Sequence, residues 1–243
     1  NVWCAAGRGS FGTEELLQRI AVTGLAAVVG HRRLLLPILG APGIAAHEVT
    51  KQSGFSVTYA TIRAADLPAF LDNGMRTMSG MREMTFSFYE RLVLIPVELV
   101  TATKTAVVIA LSLIMTGWLL AGPSAGTGLA VAYLGAMLTG VVAGPLLLPW
   151  LPGRSFSVKG VVAGLGWSIA WYLFADGSGW GTAATMAAFL ALPAVSAFYT
   201  LNFTGCSTFT SRSGVKKEMR LSLPAMGGAI AISALLLVAD QLL

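Results

Sequence analysis

The feature that most constrains this chain is a long stretch almost without charge. Residues 105–211 carry only three charged side chains, whereas residues 1–99 carry 17. The three are Arg154, Lys159 and Asp176. Charged residues make up 11% of the whole sequence, compared with about 25% in a typical soluble domain. The pattern therefore predicts a charged soluble domain over residues 1–99, followed by a membrane domain over residues 100–243.

Five apolar stretches in the second half are long enough to cross a bilayer, whose hydrocarbon core of about 30 Å needs about 20 helical residues. They lie near 103–121, 127–149, 158–175, 182–201 and 221–239. Ion-coupled carriers and pumps usually keep ionisable side chains along their pathway. These stretches contain almost none, which argues against a transporter of that kind.

Lys and Arg are concentrated in every second connection between the predicted spans. The basic residues are Lys104, Arg154, Lys159, Arg212, Lys216, Lys217 and Arg220. The connections 122–126 and 176–181 contain neither Lys nor Arg. Because short basic loops favour the cytoplasmic side, we expect a multi-pass protein of the cytoplasmic (inner) membrane. Its N-terminal domain would be cytoplasmic and its C-terminus outside.

The net charge of +5 is explained by these membrane loops. No basic run with interleaved aromatic residues supports binding to nucleic acid.

Two features of the membrane half have more than one interpretation. Glycines recur within the spans, at 135, 140, 160, 164, 166, 227 and 228, and favour close packing between helices. The polar segment 202–218 lines a cytoplasmic pocket, docks the soluble domain or is a solvated loop. Cys206, within it, is a candidate for metal handling or a small residue at the membrane interface.

The soluble half alternates short strands and helices. The predicted strands are Leu34–Gly40, Phe55–Thr61 and Leu92–Val97; the predicted helices begin at Thr13 and span Ile44–Gln52 and Asp66–Asn73. This order predicts a parallel, Rossmann-like α/β sheet. The sheet looks incomplete, and since the chain begins at Asn1, we expect an N-terminal part of the domain to be missing.

Gly7, Gly9 and Gly12 satisfy the G-x-G-x-x-G pattern of dinucleotide-binding loops. Thr13 is a suitable N-cap for the helix that follows. However, Glu14 and Glu15 place negative charge at the helix end that would receive a pyrophosphate. Arg32 and Arg33 could receive a 2′-phosphate, so a nucleotide-binding regulatory domain on a membrane scaffold remains an alternative.

Cys4 is flanked by Trp3 and Ala5 and precedes the glycine-rich turn. By composition alone, such a cysteine is usually a buried core residue. The string Asn1-Val2-Trp3-Cys4-Ala5-Ala6-Gly7, however, resembles the signature of the mercury-methylation corrinoid proteins, the HgcA family. Seven of eight signature positions match, and Arg8 stands where the family typically has Lys. The resemblance continues through residues 39–49, 63–71, 202–205 and 213–220.

The resemblance implies a fold, a cofactor and a reaction. The fold is a partial Rossmann-like corrinoid-binding domain followed by an all-α transmembrane domain of five helices. The cofactor is a cobalamin-like corrinoid, with Cys4 as the catalytic residue and lower axial ligand of the cobalt. Asn1, Val2, Trp3, Ala5, Ala6, Gly7 and Arg8 would complete the corrinoid-binding segment. The reaction is methyl transfer to Hg(II), forming methylmercury.

The resemblance also implies partners. A methyl-tetrahydrofolate-linked donor would supply the methyl group, and a ferredoxin-like iron–sulfur protein of the HgcB type would supply electrons. Two cysteines cannot hold such clusters, so the electron donor must be external. His31 and His47 are possible corrinoid or partner contacts, or ordinary surface histidines. A second alternative is a membrane-tethered corrinoid methyl carrier of acetyl-CoA-type metabolism without mercury activity, although the Trp3-Cys4 pair argues against it.

Overall fold

A computed structural model of the chain describes residues 12–206 and 212–242. The chain divides into two compact units, Asn1–Thr85 and Phe86–Leu243.

The first unit is a small α/β arrangement. Its elements are α1 (Thr13–Val22), α2 (Leu25–Val28), β1 (Arg33–Leu36), α3 (Ala46–Ser53), β2 (Ser56–Tyr59) and α4 (Leu67–Asp72), with 3₁₀ turns at Ile38–Gly40, Ala64–Asp66 and Ser79–Arg82. The predicted strand and helix positions are confirmed for these elements, although both strands are shorter than expected. β1 ends before Pro37, which has no backbone N–H to donate to a neighbouring strand.

β1 and β2 pair in parallel, with Leu34 opposite Val57 and Leu36 opposite Tyr59. Helix α3 connects them, which makes a single strand–helix–strand unit. Within the described residues the sheet has these two strands. The core beneath it consists of buried apolar side chains from the strands and their flanking helices: Ile20, Leu36, Ile44, Val49 and Phe55.

The strand predicted at Leu92–Val97 is wrong, because these residues lie within the long helix α5 (Phe88–Ala121). A capping box starts this helix: the Ser87 hydroxyl accepts from the Glu90 N–H at 3.3 Å, and the Glu90 carboxylate accepts from the Ser87 N–H at 2.7 Å. Such a box satisfies two backbone donors that a helix start leaves unpaired. A short apolar run does not by itself distinguish a buried strand from a helix.

The second unit is helical. Besides α5, its elements are α6 (Pro123–Leu138), a π-helical turn (Thr139–Ala143), α7 (Gly144–Leu146), α8 (Phe156–Phe174), α9 (Thr182–Asn202), a 3₁₀ turn (Phe203–Cys206) and α10 (Arg212–Leu242). Four helices of the described chain are long and apolar enough to cross a membrane: Phe88–Ala121, Pro123–Leu146, Thr182–Gly205 and Ser213–Asp240.

Helix α8 coincides with the span predicted at 158–175 but is not among those four. It has 19 residues, and Lys159, Ser168 and three glycines lower its hydropathy. The finding is therefore four strongly apolar helices and a fifth, less apolar one packed beside them. The predicted connection at 202–220 is also shorter than expected, since α10 already begins at Arg212.

Glycines bring α8 and α9 into backbone contact. A Cβ built on Gly160 would lie 2.5 Å from the Cα of Ala197, and one on Gly164 would lie 2.6 Å from the Cα of Pro193. Gly117 and Gly126 bring α5 and α6 together in the same way. The close packing predicted for glycines is thus confirmed at Gly160 and Gly164. It is also confirmed at Gly135, where an added Cβ would collide with the ring of Trp167, and at Gly140, where it would lie 2.5 Å from the Ser196 carbonyl oxygen. It does not hold at 166, 227 or 228, where an added Cβ would meet nothing within 4 Å.

The substitution Gly164→Ala should destabilise the helical unit by about 1–3 kcal/mol, because the methyl group overpacks the contact with Pro193. Gly166→Ala is a matched control on the same helix. It should be neutral or stabilising, since alanine is the better helix former and the space is open. Thermal unfolding of both variants in the same detergent checks this prediction. Equal unfolding midpoints for the two variants would contradict close packing at Gly164.

Candidate functional site

The predicted corrinoid-binding segment, Asn1 to Arg8 with Cys4 at its centre, lies outside the described residues. Gly12 is the first described residue of the chain. A Cβ built on Gly12 would lie 3.7 Å from the carbonyl oxygen of Gly43. Gly12 therefore lies beside the loop that follows β1.

Thr13 fixes this approach, although not in the predicted way. The N-cap of α1 is Gly12 rather than Thr13, which is the first helical residue. The Thr13 hydroxyl instead accepts a hydrogen bond from the Ala45 N–H at 2.9 Å. The sequence predicts that Thr13 caps its own helix. Its hydroxyl instead forms a tertiary contact between the start of α1 and the loop before α3.

That loop lies at the carboxyl end of β1, and it is joined to the carboxyl end of β2 as well. The Tyr59 hydroxyl, on the last residue of β2, donates to the Ile44 carbonyl at 2.7 Å. Burial raises the pKa of the Tyr59 phenol above its ordinary value, so the proton stays on the donor. In open α/β sheets, ligands bind beyond the carboxyl ends of the strands. Gly12 therefore lies at the edge of the sheet where ligands of such folds bind.

The two candidate phosphate-binding arginines lie at the opposite end of β1. Arg32 precedes the strand, donates to the Val29 carbonyl at 3.1 Å and stacks 5.2 Å above the ring of Phe55. Arg33, the first strand residue, contacts the sulfur of Met75 at 3.8 Å. Both arginines therefore lie at the amino end of β1, whereas Gly12 lies beside the loop at its carboxyl end.

The two histidines are separated in the same way. His31 is exposed in the turn before β1, where its ring nitrogen Nδ1 accepts from the Arg33 N–H at 3.4 Å. His47 is exposed in the first turn of α3, on the side of the sheet edge that Gly12 approaches.

In the part of the chain that the structure describes, no group of three His, Cys, Asp or Glu side chains is placed to hold a metal. Cys4, the cobalt ligand that the resemblance implies, lies outside the described residues.

Sequence reasoning missed a polar contact around Glu218. One oxygen of this carboxylate accepts from the Ser155 hydroxyl at 2.6 Å, the Ser157 hydroxyl at 2.8 Å and the Ser157 N–H at 2.7 Å. Its negative charge therefore lies at the N-terminus of α8, where the helix dipole favours it. Glu218 belongs to the polar segment predicted as a loop, and its role here is to hold α10 against α8.

The fold defines a helical membrane protein with a small α/β unit. No family model, curated protein or solved structure matches the chain.

The substitution Thr13→Val should release the start of α1 from the edge loop. Exchange of the Ala45 amide hydrogen should accelerate by about fivefold, since one hydrogen bond contributes about 1 kcal/mol. Thr23→Val is the control, because the Thr23 hydroxyl bonds only to carbonyls of its own helix. Hydrogen–deuterium exchange of the full chain measures both. Unchanged exchange at Ala45 in the Thr13 variant would contradict the anchoring role.

Proposed function

We propose that this protein is a corrinoid-dependent methyltransferase that forms methylmercury from Hg(II). The observation that carries the proposal is the string Asn1 to Gly7, with its resemblance to the mercury-methylation corrinoid proteins. The position of Gly12 at the carboxyl edge of the parallel strands supports it, because a Rossmann-like domain binds its cofactor at that edge.

Cys4 would hold the corrinoid through its thiolate. When bound, the corrinoid would supply an activated methyl group for transfer to thiol-bound Hg(II), and an external two-electron donor would be needed to restore the cofactor. The thiolate of Cys4 donates electron density toward the metal, which a neutral imidazole does less well. It would be deprotonated by coordination.

The neighbours of Cys4 would orient it. Trp3 and the small residues Ala5 to Gly7 offer a flat, close-packing surface for a large planar ligand. Arg8 keeps the positive charge of the lysine typical of the family but replaces a compact ammonium by a planar guanidinium. The protein would need the methyl-tetrahydrofolate-linked donor and the iron–sulfur partner as separate proteins.

The membrane domain would have five spans, with α8 as the third. Helix α8 has 19 residues, or about 28 Å at 1.5 Å per residue, close to the thickness of the hydrocarbon core. Neighbouring helices are antiparallel, since Gly160 and Gly164 of α8 meet Ala197 and Pro193 of α9 in reverse order.

The charges of the helix ends support an orientation. Arg154, Lys159 and the basic residues at the start of α10 share one end, whereas Asp176 and Asp240 lie toward the other. By the positive-inside rule the basic end would face the cytoplasm. The α/β unit would then be cytoplasmic, and the C-terminus outside.

The substitution Cys4→Ala should abolish methylmercury formation and change the visible spectrum of the protein reconstituted with cobalamin, because the thiolate ligand is lost. Cys206→Ala is the matched control and should leave both unchanged, since it removes the other of the two cysteines. Methylmercury assays with reduced ferredoxin and spectra of both purified variants provide the measurement.

Each contrary result has a specific meaning. Absence of corrinoid bands in the wild type after reconstitution would exclude every corrinoid function. Corrinoid binding without mercury methylation in the wild type would favour a methyl carrier of one-carbon metabolism. Full activity of Cys4→Ala would exclude the thiolate mechanism.

Reporter fusions test the orientation. Alkaline phosphatase fused after Leu243 should be active, because the five-span topology places the C-terminus outside, and green fluorescent protein fused there should be dark. Fusions after Gly153, in the basic connection before α8, should behave in the opposite way. Cytoplasmic fluorescence from the Leu243 fusion would overturn the five-span topology.

A further inference from the structure

Arg91, in the first turns of α5, is a buried cation. The residue is 5% exposed, yet an arginine keeps its charge at any physiological pH. One guanidinium nitrogen, Nη1, donates to the Phe86 carbonyl at 2.9 Å. The Nε–H is buried and has no hydrogen-bond partner among the residues that the structure describes.

No carboxylate neutralises this charge within the described ranges 12–206 and 212–242. The ion pair found there joins Arg19 to Glu15 in the other unit. The adjacent Glu90 uses its carboxylate in the capping box at Ser87. An unpaired buried charge costs several kcal/mol. Stacking on aromatic rings offsets only about 0.5–2 kcal/mol of that cost. The site therefore lacks an anion.

The surroundings show from which side an anion can arrive. The guanidinium carbon lies 5.9 Å from the ring centres of both Phe86 and Trp150. Trp150 is 68% exposed, so the guanidinium is one side chain away from the surface. Tryptophan is enriched where a membrane protein meets the boundary between lipid and water.

The same end of the helical unit is positively charged. Trp150 lies in the connection between α7 and α8, which also carries the exposed Arg154. Lys159, in the first turn of α8, donates to the Leu148 carbonyl of that connection. Basic pockets between membrane helices favour lipid phosphate groups, and a guanidinium matches the geometry of a phosphate.

We propose that Arg91 and Trp150 form a binding site for the phosphate group of an anionic phospholipid. The phosphate supplies the negative charge that would neutralise Arg91 and accepts a hydrogen bond from its Nε–H, while the indole ring of Trp150 packs against the lipid. Lys159 and Arg154 add attraction for the same headgroup. This site is independent of the corrinoid proposal, since it lies in the helical unit and requires no cofactor.

The test uses the full chain, delipidated in detergent and placed in nanodiscs of phosphatidylcholine or of phosphatidylcholine with phosphatidylglycerol. The wild type should unfold at a higher temperature with phosphatidylglycerol, and native mass spectrometry should detect retained phosphatidylglycerol. Arg91→Met should weaken that binding at least tenfold, because the phosphate loses its partner. Arg154→Met, a matched control on the same surface, should weaken it far less.

A second measurement separates binding from folding. In pure phosphatidylcholine, Arg91→Met should unfold at the same temperature as the wild type or higher, since it removes an unpaired buried charge. If this variant does not fold, Arg91→Lys replaces it; that change keeps the charge, loses the planar fork and should bind phosphatidylglycerol measurably more weakly.

Three results would overturn the proposal. One is an equal effect of the two lipids on the wild type. Another is retention of the phosphatidylglycerol effect in Arg91→Met, or in Arg91→Lys if that variant is used. The third is the same stabilisation by inorganic phosphate in detergent, which would assign the site to a soluble phosphate instead of a lipid.

Discussion

The helical unit depends on the close approach of α8 and α9. In a bilayer, lipid chains are as apolar as leucine, so burying apolar side chains does little to hold helices together, and dense packing must do so instead. Gly160 and Gly164 allow this, because any side chain there would collide with the backbone of α9. Helix α9 also makes a buried polar contact with the π-helical turn. The Thr200 hydroxyl on α9 donates to the carbonyl of Gly140 in that turn at 3.0 Å. Helix α9 thereby becomes the centre on which α6, α8 and α10 pack.

Polar contacts complete what glycine packing begins, and they lie mainly at the basic end. Glu218 ties α10 to the first turn of α8, and Lys159 ties that turn to the connection after α7. These links hold the connection that carries Trp150 against Arg91. One end of the unit is thus fixed by charged and hydroxyl side chains, whereas glycines and alanines dominate farther along the helices. The Arg91 Nε–H, which has no partner among the described residues, lies at this end of the unit. We expect such a donor in a binding site for an anion.

The α/β unit has a different kind of constraint. With two short strands, its geometry relies on hydrogen bonds at the carboxyl edge, from the Ala45 N–H to Thr13 and from Tyr59 to the Ile44 carbonyl. These bonds bring the start of α1 and both strand ends to one place. Gly12 suits this position, since its backbone passes close to Gly43.

The sequence by itself determined the membrane character, the approximate positions of the helices and the strand–helix–strand order, because hydropathy and periodicity are local properties. The sequence also contains the cysteine motif, which lies outside the residues that the structure describes. Tertiary structure decided the rest. Leu92–Val97 is helical because a capping box upstream starts α5, and Thr13 is not a cap because Ala45 supplies its partner. The contact between Arg91 and Trp150 and the capping of α8 by Glu218 each join residues more than 50 positions apart in the sequence. Such pairings depend on which helices become neighbours, and no window of the sequence contains that information.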